Sequence, residues 1–192
     1  MPTRFLLSCP HFASLPEPVQ AALNKQAVHF EYAAKHTILH PDEPWQSLYW
    51  ITKGVIRMYY LDTDGREHNK AFFSDNDFFW PVTESLRAEK TGFIIETVNV
   101  TCGWKWSFEP FRQAFPDDET WLKFVQPWQE ALLSAKLRRE RDLLQLSATE
   151  RYQVLCKDFP ELVKTMTDAQ LASYIGITPE SLSRIKRALR AE

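Results

Sequence analysis

Residues 167–189 run TDAQLASYIGITPESLSRIKRAL. Thr167 followed three positions later by Gln170 has the form of a capping box, a hydroxyl acceptor at a helix start with an amide reaching back to it. In the helix this opens, Leu171, Ala172 and Ile175 are the small or apolar positions. Gly176 then permits a left-handed turn, and Thr178-Pro179 starts a second helix with proline in its first turn. Leu182, Ile185 and Leu189 share one face of that second helix. Two short helices can cross closely only with a small residue at the contact, a residue that tolerates the turn, and apolar clamps beyond it. Ala172, Gly176, Leu182 and Ile185 supply these at the spacing of a helix-turn-helix.

The opposite face of the second helix is polar and basic. Thr178, Glu180, Ser181, Ser183, Arg184, Lys186, Arg187 and Arg190 are the candidate nucleic-acid contacts. Glu180 can accept from a cytosine amino group, Arg184 can make a paired bond to guanine or grip a phosphate, and Lys186, Arg187 and Arg190 can meet the sugar–phosphate backbone. A basic end is also what the helix dipole favours at any solvated C-terminus. That reading leaves the first helix, the glycine turn and the apolar clamp unexplained together, so double-stranded DNA is the expected partner.

Further towards the N-terminus, Ser147-Ala148-Thr149-Glu150 is another capping box, opening a helix that ends near Phe159-Pro160. Residues 117–146 hold no glycine and one proline, Pro127, and keep helical spacing throughout. A long helix is expected there, kinked or divided at Pro127. Trp121, Val125, Trp128, Leu132 and Ala135 recur at alternating steps of four and three, the spacing of a coiled-coil seam, which continues through Arg139 and Asp142 to Leu146. Trp121, Val125, Trp128, Leu132, Ala135 and Arg139 are therefore candidate contacts with a facing helix. A second row, Phe124, Leu133, Leu137 and Leu144, lies off that seam. Two apolar rows on one helix usually mean one partner inside the domain and one outside it, although burial of both within one domain fits the same periodicity.

Residues 27–100 have a different texture. Val28-His29-Phe30-Glu31-Tyr32 alternates, and Leu48-Tyr49-Trp50-Ile51 and Val55-Ile56-Arg57-Met58-Tyr59-Tyr60 are β-prone runs. Gly54, Asp64-Gly65, Pro41, Pro44 and Asp75-Asn76-Asp77 separate them, Asp64-Gly65 being the strongest hairpin signal in the chain. Short, regularly spaced strands predict a sandwich or barrel. Ahead of them, Ser14-Leu15-Pro16-Glu17 has capping-box form and predicts a helix from Ser14 to Lys25.

Composition bounds the rest. The chain has 192 residues, 44% hydrophobic and 25% charged, with 23 Lys plus Arg against 25 Asp plus Glu and a formal charge of −2. That excludes a protein basic all over. The charge is divided unevenly: residues 1–135 carry 12 basic and 17 acidic side chains, or −5, and residues 136–192 carry 11 and 8, or +3. No apolar run approaches the roughly 18 residues of a membrane span. The apolar stretch before Leu6-Leu7-Ser8-Cys9 is too short for a lipoprotein signal. Cys9, Cys102 and Cys156 are odd in number and far apart, as expected of reduced thiols in a cytoplasmic protein rather than a metal or disulfide framework.

Taken together these segments resemble the family of the cyclic AMP receptor protein and the fumarate and nitrate reduction regulator (Crp/Fnr). The residues that carry the likeness are Leu48-Tyr49-Trp50-Ile51-Thr52-Lys53-Gly54-Val55-Ile56-Arg57, Asp64-Gly65-Arg66-Glu67 and Asn76-Asp77-Phe78-Phe79 in the first half, and Ile177-Thr178-Pro179-Glu180-Ser181-Leu182-Ser183-Arg184-Ile185 in the second. The resemblance implies an α+β chain: an N-terminal double-stranded β-helix (jelly roll) of the cyclic-nucleotide-binding type over residues 1–116, a dimerisation helix over 117–146, and a helix-turn-helix domain over 147–192. It implies a homodimeric bacterial transcription regulator, not an enzyme, that reads a near-palindromic duplex. RNA polymerase and a small-molecule effector are the further partners it admits, with no membrane association.

The departures from the family pattern are as informative. Members that bind cyclic AMP hold it with a Gly-Glu pair after the G-D-x-F run and a later R-[ST]-A; here the first stretch reads Phe79-Trp80-Pro81-Val82, and Thr91-Gly92-Phe93 stands near the second. A cyclic phosphate needs a cation and backbone donors, which a Trp-Pro pair lacks. The four-cysteine cluster of the oxygen-sensing branch is missing as well. No cofactor is expected, whether cyclic AMP, an iron–sulfur cluster or haem. The chain ends three residues after Leu189, leaving no room for the β-hairpin wing that many members append. If an effector pocket exists, Phe72, Phe78, Trp80, Trp104 and Trp106 are its candidate lining, for a flat or lipophilic molecule; plain core is the commoner fate of such aromatics.

Two other readings remain open. A cupin-type metal enzyme would have only His36, His40 and Glu43 to offer, and two histidines four residues apart on a strand lie about 13 Å apart, too far for one metal. A dimeric adaptor or ligand-binding protein would keep the fold without DNA binding.

Overall fold

The computed structural model describes residues 10–190. Two antiparallel four-stranded sheets face each other, one in the order β1 (Val28–Tyr32), β8 (Thr101–Ser107), β3 (Ser47–Lys53), β6 (Phe78–Phe79), the other β2 (Thr37–Leu39), β7 (Ile94–Thr97), β4 (Ile56–Leu61), β5 (Glu67–Phe73). This is the jelly roll. The β4–β5 hairpin closes at Asp62–Arg66, where the Asp62 carboxylate accepts from the backbone N–H groups of Asp64 and Arg66.

β3 explains why residues 48–51 read as an unbroken apolar run. Its alternate faces are both buried: Tyr49 and Ile51 point between the sheets with Phe30, Phe79 and Ile95, whereas Leu48 and Trp50 point outward into a second core shared with helices. The next strand comes so close that a Cβ on Gly103 would lie 2.1 Å from the Trp50 carbonyl oxygen. Only glycine fits there.

Helices cover the outer face of that sheet. α1 (Pro10–Ala13) brings Phe12, and α2 (Glu17–Gln26) brings Val19 and Leu23, whose carbonyl accepts from the Trp106 indole N–H at 2.9 Å. The expected cap at Ser14 is displaced. α2 starts after Pro16, which has no capping side-chain bond, because Pro18 fits the first turn without an N–H. Two short helices, α3 (Glu84–Ala88) and α4 (Phe108–Gln113), follow β6 and β8.

α5 (Asp118–Gln145) is one continuous helix through Pro127, capped by the Asp117 carboxylate on Thr120 N–H at 2.7 Å. α6 (Ala148–Asp158) begins in the complete capping box of Ser147 and Glu150. α7 (Pro160–Thr165), α8 (Asp168–Ile175) and α9 (Pro179–Leu189) complete the chain. They enclose a third core, Tyr152, Leu155, Leu162, Met166, Leu171, Ala172, Ile175 and Leu182, into which the roll sends Val55, with Phe72 and Val98 packed beside it.

Candidate nucleic-acid interface

α8 and α9 form the helix-turn-helix. The Thr167–Gln170 box is complete, Gly176 adopts φ 74° at the α8 C-terminus, and Ala172 and Leu182 are fully buried at the crossing. Thr178 caps α9: its hydroxyl oxygen accepts from Ser181 N–H at 3.2 Å and lies 3.1 Å from the Ser181 hydroxyl. These two residues fix the start of the helix, Thr178 at the exposed end and Ser181 half-buried.

Beyond them Glu180, Ser183, Arg184 and Arg187 form one exposed surface with Pro179. Among the described residues, neither arginine has an ion-pair partner. The Glu180 carboxyl is held below its ordinary range by its own backbone N–H, then the Thr178 side chain, with Arg184 adding to them. It is an acceptor at neutral pH, flanked by free guanidinium donors.

Lys186 requires a correction. Its ammonium pairs with Asp168 and lies 5.8 Å from the Tyr152 ring, on the inner side of α9. The reason is helical phase: Lys186 follows Leu182 by four residues and precedes Leu189 by three, which puts it on the clamp side. Arg190, four residues further on, caps the helix end, exposed but near Tyr152.

The expected dimer seam also changes. Val125 is 2% exposed in the aromatic core, and Trp121 packs edge-on against Phe108 and Phe115. Trp128 stands against Phe78 and Trp80. Arg139 donates to the carbonyls of Tyr174 and Asn69 within its own chain. Of the six residues expected at the seam, Leu132 and Ala135 remain exposed. Of the other row Phe124 is buried in the aromatic core, whereas Leu133, Leu137 and Leu144 are 60%, 57% and 78% exposed, with Leu122 in line with them.

The expected effector pocket is core. Phe78, Trp80 and Trp106 are packed among Phe12, Phe111 and Phe124, Trp104 is half-buried against the His29 ring, and Phe72 belongs to a different cluster, 5.0 Å from the Tyr174 ring. Phe72 thus stands apart from the other four. Nearby, Arg87 donates to the Pro81 carbonyl at 2.9 Å and lies over the Phe108 ring, so that cation is engaged.

Sequence reasoning missed the junction between roll and reader. The Ser173 hydroxyl on α8 donates to the Glu67 carbonyl and accepts from Asn69 N–H, each at 2.8 Å. The Glu67 carboxylate in turn pairs with Arg57, which is buried between it and Glu96. Burial disfavours the Arg57 charge, but the two carboxylates outweigh it and raise the pKa. A cleft of about 300 Å³ opens beside them, lined by Lys35, Arg57, Glu67, Glu96, Thr167 and Gln170 among others. The available hints were Arg57 inside an apolar strand and Arg139 inside an apolar seam.

Comparison with known proteins agrees with this architecture. Residues 29–101 match the cyclic nucleotide-binding domain. The chain is 25% identical over 158 residues to the cAMP-activated global transcriptional regulator Vfr of Pseudomonas aeruginosa, covering 80% of this chain and 73% of that one. Among solved structures it is similar to a crp/fnr-family protein from Eubacterium rectale (TM-score 0.74, 16% identity, 95% of this chain and 87% of the other). It is similar as well to the c-di-GMP-responsive global regulator CLP from Xanthomonas campestris (TM-score 0.71, 19% identity, 92% of each). With a domain matching the cyclic nucleotide-binding model, a long connecting helix and a helix-turn-helix, the chain is similar in architecture to regulators of the Crp/Fnr family.

Proposed function

We propose that the chain is a homodimeric, DNA-binding transcription regulator of the Crp/Fnr type that does not respond to cyclic AMP. The observation that carries DNA binding is α9, whose inner face is closed by Leu182 while Glu180, Ser183, Arg184 and Arg187 stand outward as one polar surface. Such a helix can enter a major groove, with Arg184 reading guanine or a phosphate and Glu180 accepting from cytosine. The exposed leucines of α5 support a second copy along that helix, which would set two α9 helices about 34 Å apart, one helical turn of duplex. Against cyclic AMP stand the buried Trp80-Pro81 pair and Arg87, whose guanidinium is engaged with the Pro81 carbonyl. RNA polymerase is a natural further partner of such a regulator.

Selection from a random duplex pool tests this directly. We expect an enriched site with two-fold symmetry, and affinity that falls with salt by about 0.9 log units per log unit for each phosphate contacted. A slope near zero with no enriched sequence would favour a dimeric adaptor instead.

A further inference from the structure

Every carbonyl at the C-terminal end of α8 has a donor. A helix leaves its last four carbonyls without an intrahelical partner. In α8 the Ala172 carbonyl accepts from Ile177 N–H at 3.0 Å and the Ser173 carbonyl from Gly176 N–H at 3.3 Å, both through the left-handed turn at Gly176. The other two are taken by arginines from neighbouring helices. Arg139 of α5 donates to the Tyr174 carbonyl at 2.9 Å and lies 4.2 Å from the centre of the Tyr174 ring. Arg151 of α6 donates through Nε to the Ile175 carbonyl at 2.8 Å and through a terminal nitrogen to the Leu146 carbonyl at 2.7 Å.

Arg151 thus joins two helix ends with one side chain, since Leu146 is the C-terminal cap of α5 and Ile175 the last residue of α8. Each end carries the negative pole of its helix, where a guanidinium is favoured. The planar fork fixes direction as well as distance, which a lysine ammonium does not. Beside it, a Cβ on Gly176 would lie 3.3 Å from the Leu143 side chain, so α5 also meets the α8–α9 turn by apolar contact. The covalent link from α5 to α6 is Leu146 and Ser147, both extended. Element-terminal positions of this kind are where packed parts swing unless other contacts hold them.

We propose that Arg151 is a positioning residue for DNA recognition: with Arg139 and Leu143 it locks α8 against the end of α5, and so sets the half-site spacing that a dimer accepts. It acts through α8, which carries α9 beyond the Gly176 turn. One base pair added between two half-sites moves them apart by about 3.4 Å and turns one by about 35° around the duplex. A locked reader cannot follow both changes, whereas a swinging one can. The proposal rests on the homodimeric DNA-binding reading and adds to it which contacts hold the two α9 helices at their separation.

The test is a competition band-shift of the full chain on its enriched duplex and on versions with one base pair inserted at, or removed from, the centre. The unaltered chain should bind the changed spacings about tenfold more weakly or worse. Arg151→Gln should lose most of that discrimination, to within about threefold, while its preference among bases inside a half-site stays the same. Arg151→Lys, able to cap one carbonyl but not two, should fall between. Leu143→Ala, which leaves both hydrogen bonds in place, should flatten the spacing profile as well. If Arg151→Gln loses its helical circular dichroism, the lysine and alanine variants carry the comparison. The proposal is overturned if the variants weaken every spacing by one factor, as lost stability alone would do, if they keep the unaltered profile, or if the unaltered chain accepts all spacings equally. Hydrogen exchange judges the clamp without DNA: Arg151→Gln and Arg151→Lys should speed exchange at the Gly176 and Ile177 amides and leave the Ile95 amide of the roll unchanged. A chain that binds no duplex loses the regulator reading, and unchanged exchange at Gly176 and Ile177 overturns the clamp itself.

Discussion

Arg184 and Lys186 stand two positions apart on α9 and answer to different demands. Arg184 is exposed and unpaired among the described residues, so Arg184→Ala should relax preference at one base-pair position, removing about 1–3 kcal/mol of discrimination in competition band-shift assays. Lys186 faces Asp168, with its side chain 21% exposed. Lys186→Ala should lower the thermal midpoint by the small amount a largely surface ion pair contributes, at most about 1 kcal/mol. The salt dependence of DNA binding should stay as it was; a slope reduced by about one phosphate's worth would return Lys186 to the groove. At Gly103 the constraint is steric. An alanine Cβ would meet the Trp50 carbonyl at 2.1 Å, so Gly103→Ala should destabilise by more than the roughly 1–3 kcal/mol of ordinary overpacking, measured by urea unfolding.

Among the elements, α5 divides its two apolar rows between its own roll and the outside. Leu137→Glu with Leu144→Glu should convert a dimer to monomer in sedimentation equilibrium without loss of helical circular dichroism. Val125→Ala should instead cost about 2 kcal/mol of stability and leave association intact. Helix starts give a pH dependence. Asp117 is held below the ordinary carboxyl range by Thr120 and Glu150 by Ser147, each capping its helix. A carboxyl lowered in the folded chain adds stability that is fully present above its unfolded pKa and lost as pH falls through the lower folded value. The thermal midpoint should therefore fall as pH drops from about 5 towards 3, and Asp117→Asn with Glu150→Gln should flatten that fall. The boxes at Ser147 and Thr167, the Asp64-Gly65 hairpin and the glycine turn at Gly176 were legible in sequence because each is settled within a few residues. Which row of α5 faces inward was not, since period fixes the angle between rows and not the direction of the core. The phase of Lys186 was legible in principle, four residues after Leu182, but charge outweighed phase in reading the helix.

For the whole molecule, the decisive feature is that roll and reader share buried surface. Val55 lies in the core of the helix-turn-helix, Phe72 packs on Tyr174, and Ser173 exchanges hydrogen bonds with both Glu67 and Asn69. Arg57 ties the Glu67 end of that contact to Glu96 on the neighbouring strand, so the hairpin that meets α8 is braced from within the sheet. A signal arriving at the roll can shift the reader only by favouring one arrangement of this junction over another. Ser173→Ala removes a hydroxyl that is both donor and acceptor, leaving the N–H of Asn69, itself 3% exposed, without its partner. An unsatisfied buried donor costs about 1–3 kcal/mol, and here that loss falls on the interface rather than on either core. Calorimetry of the unaltered chain should show one cooperative transition. In Ser173→Ala the helix-turn-helix should melt at a lower temperature than the roll, resolved as two transitions, with hydrogen exchange faster first in α8. A single transition shifted as a whole would mean that the apolar contacts of Val55 and Phe72 alone hold the two parts together.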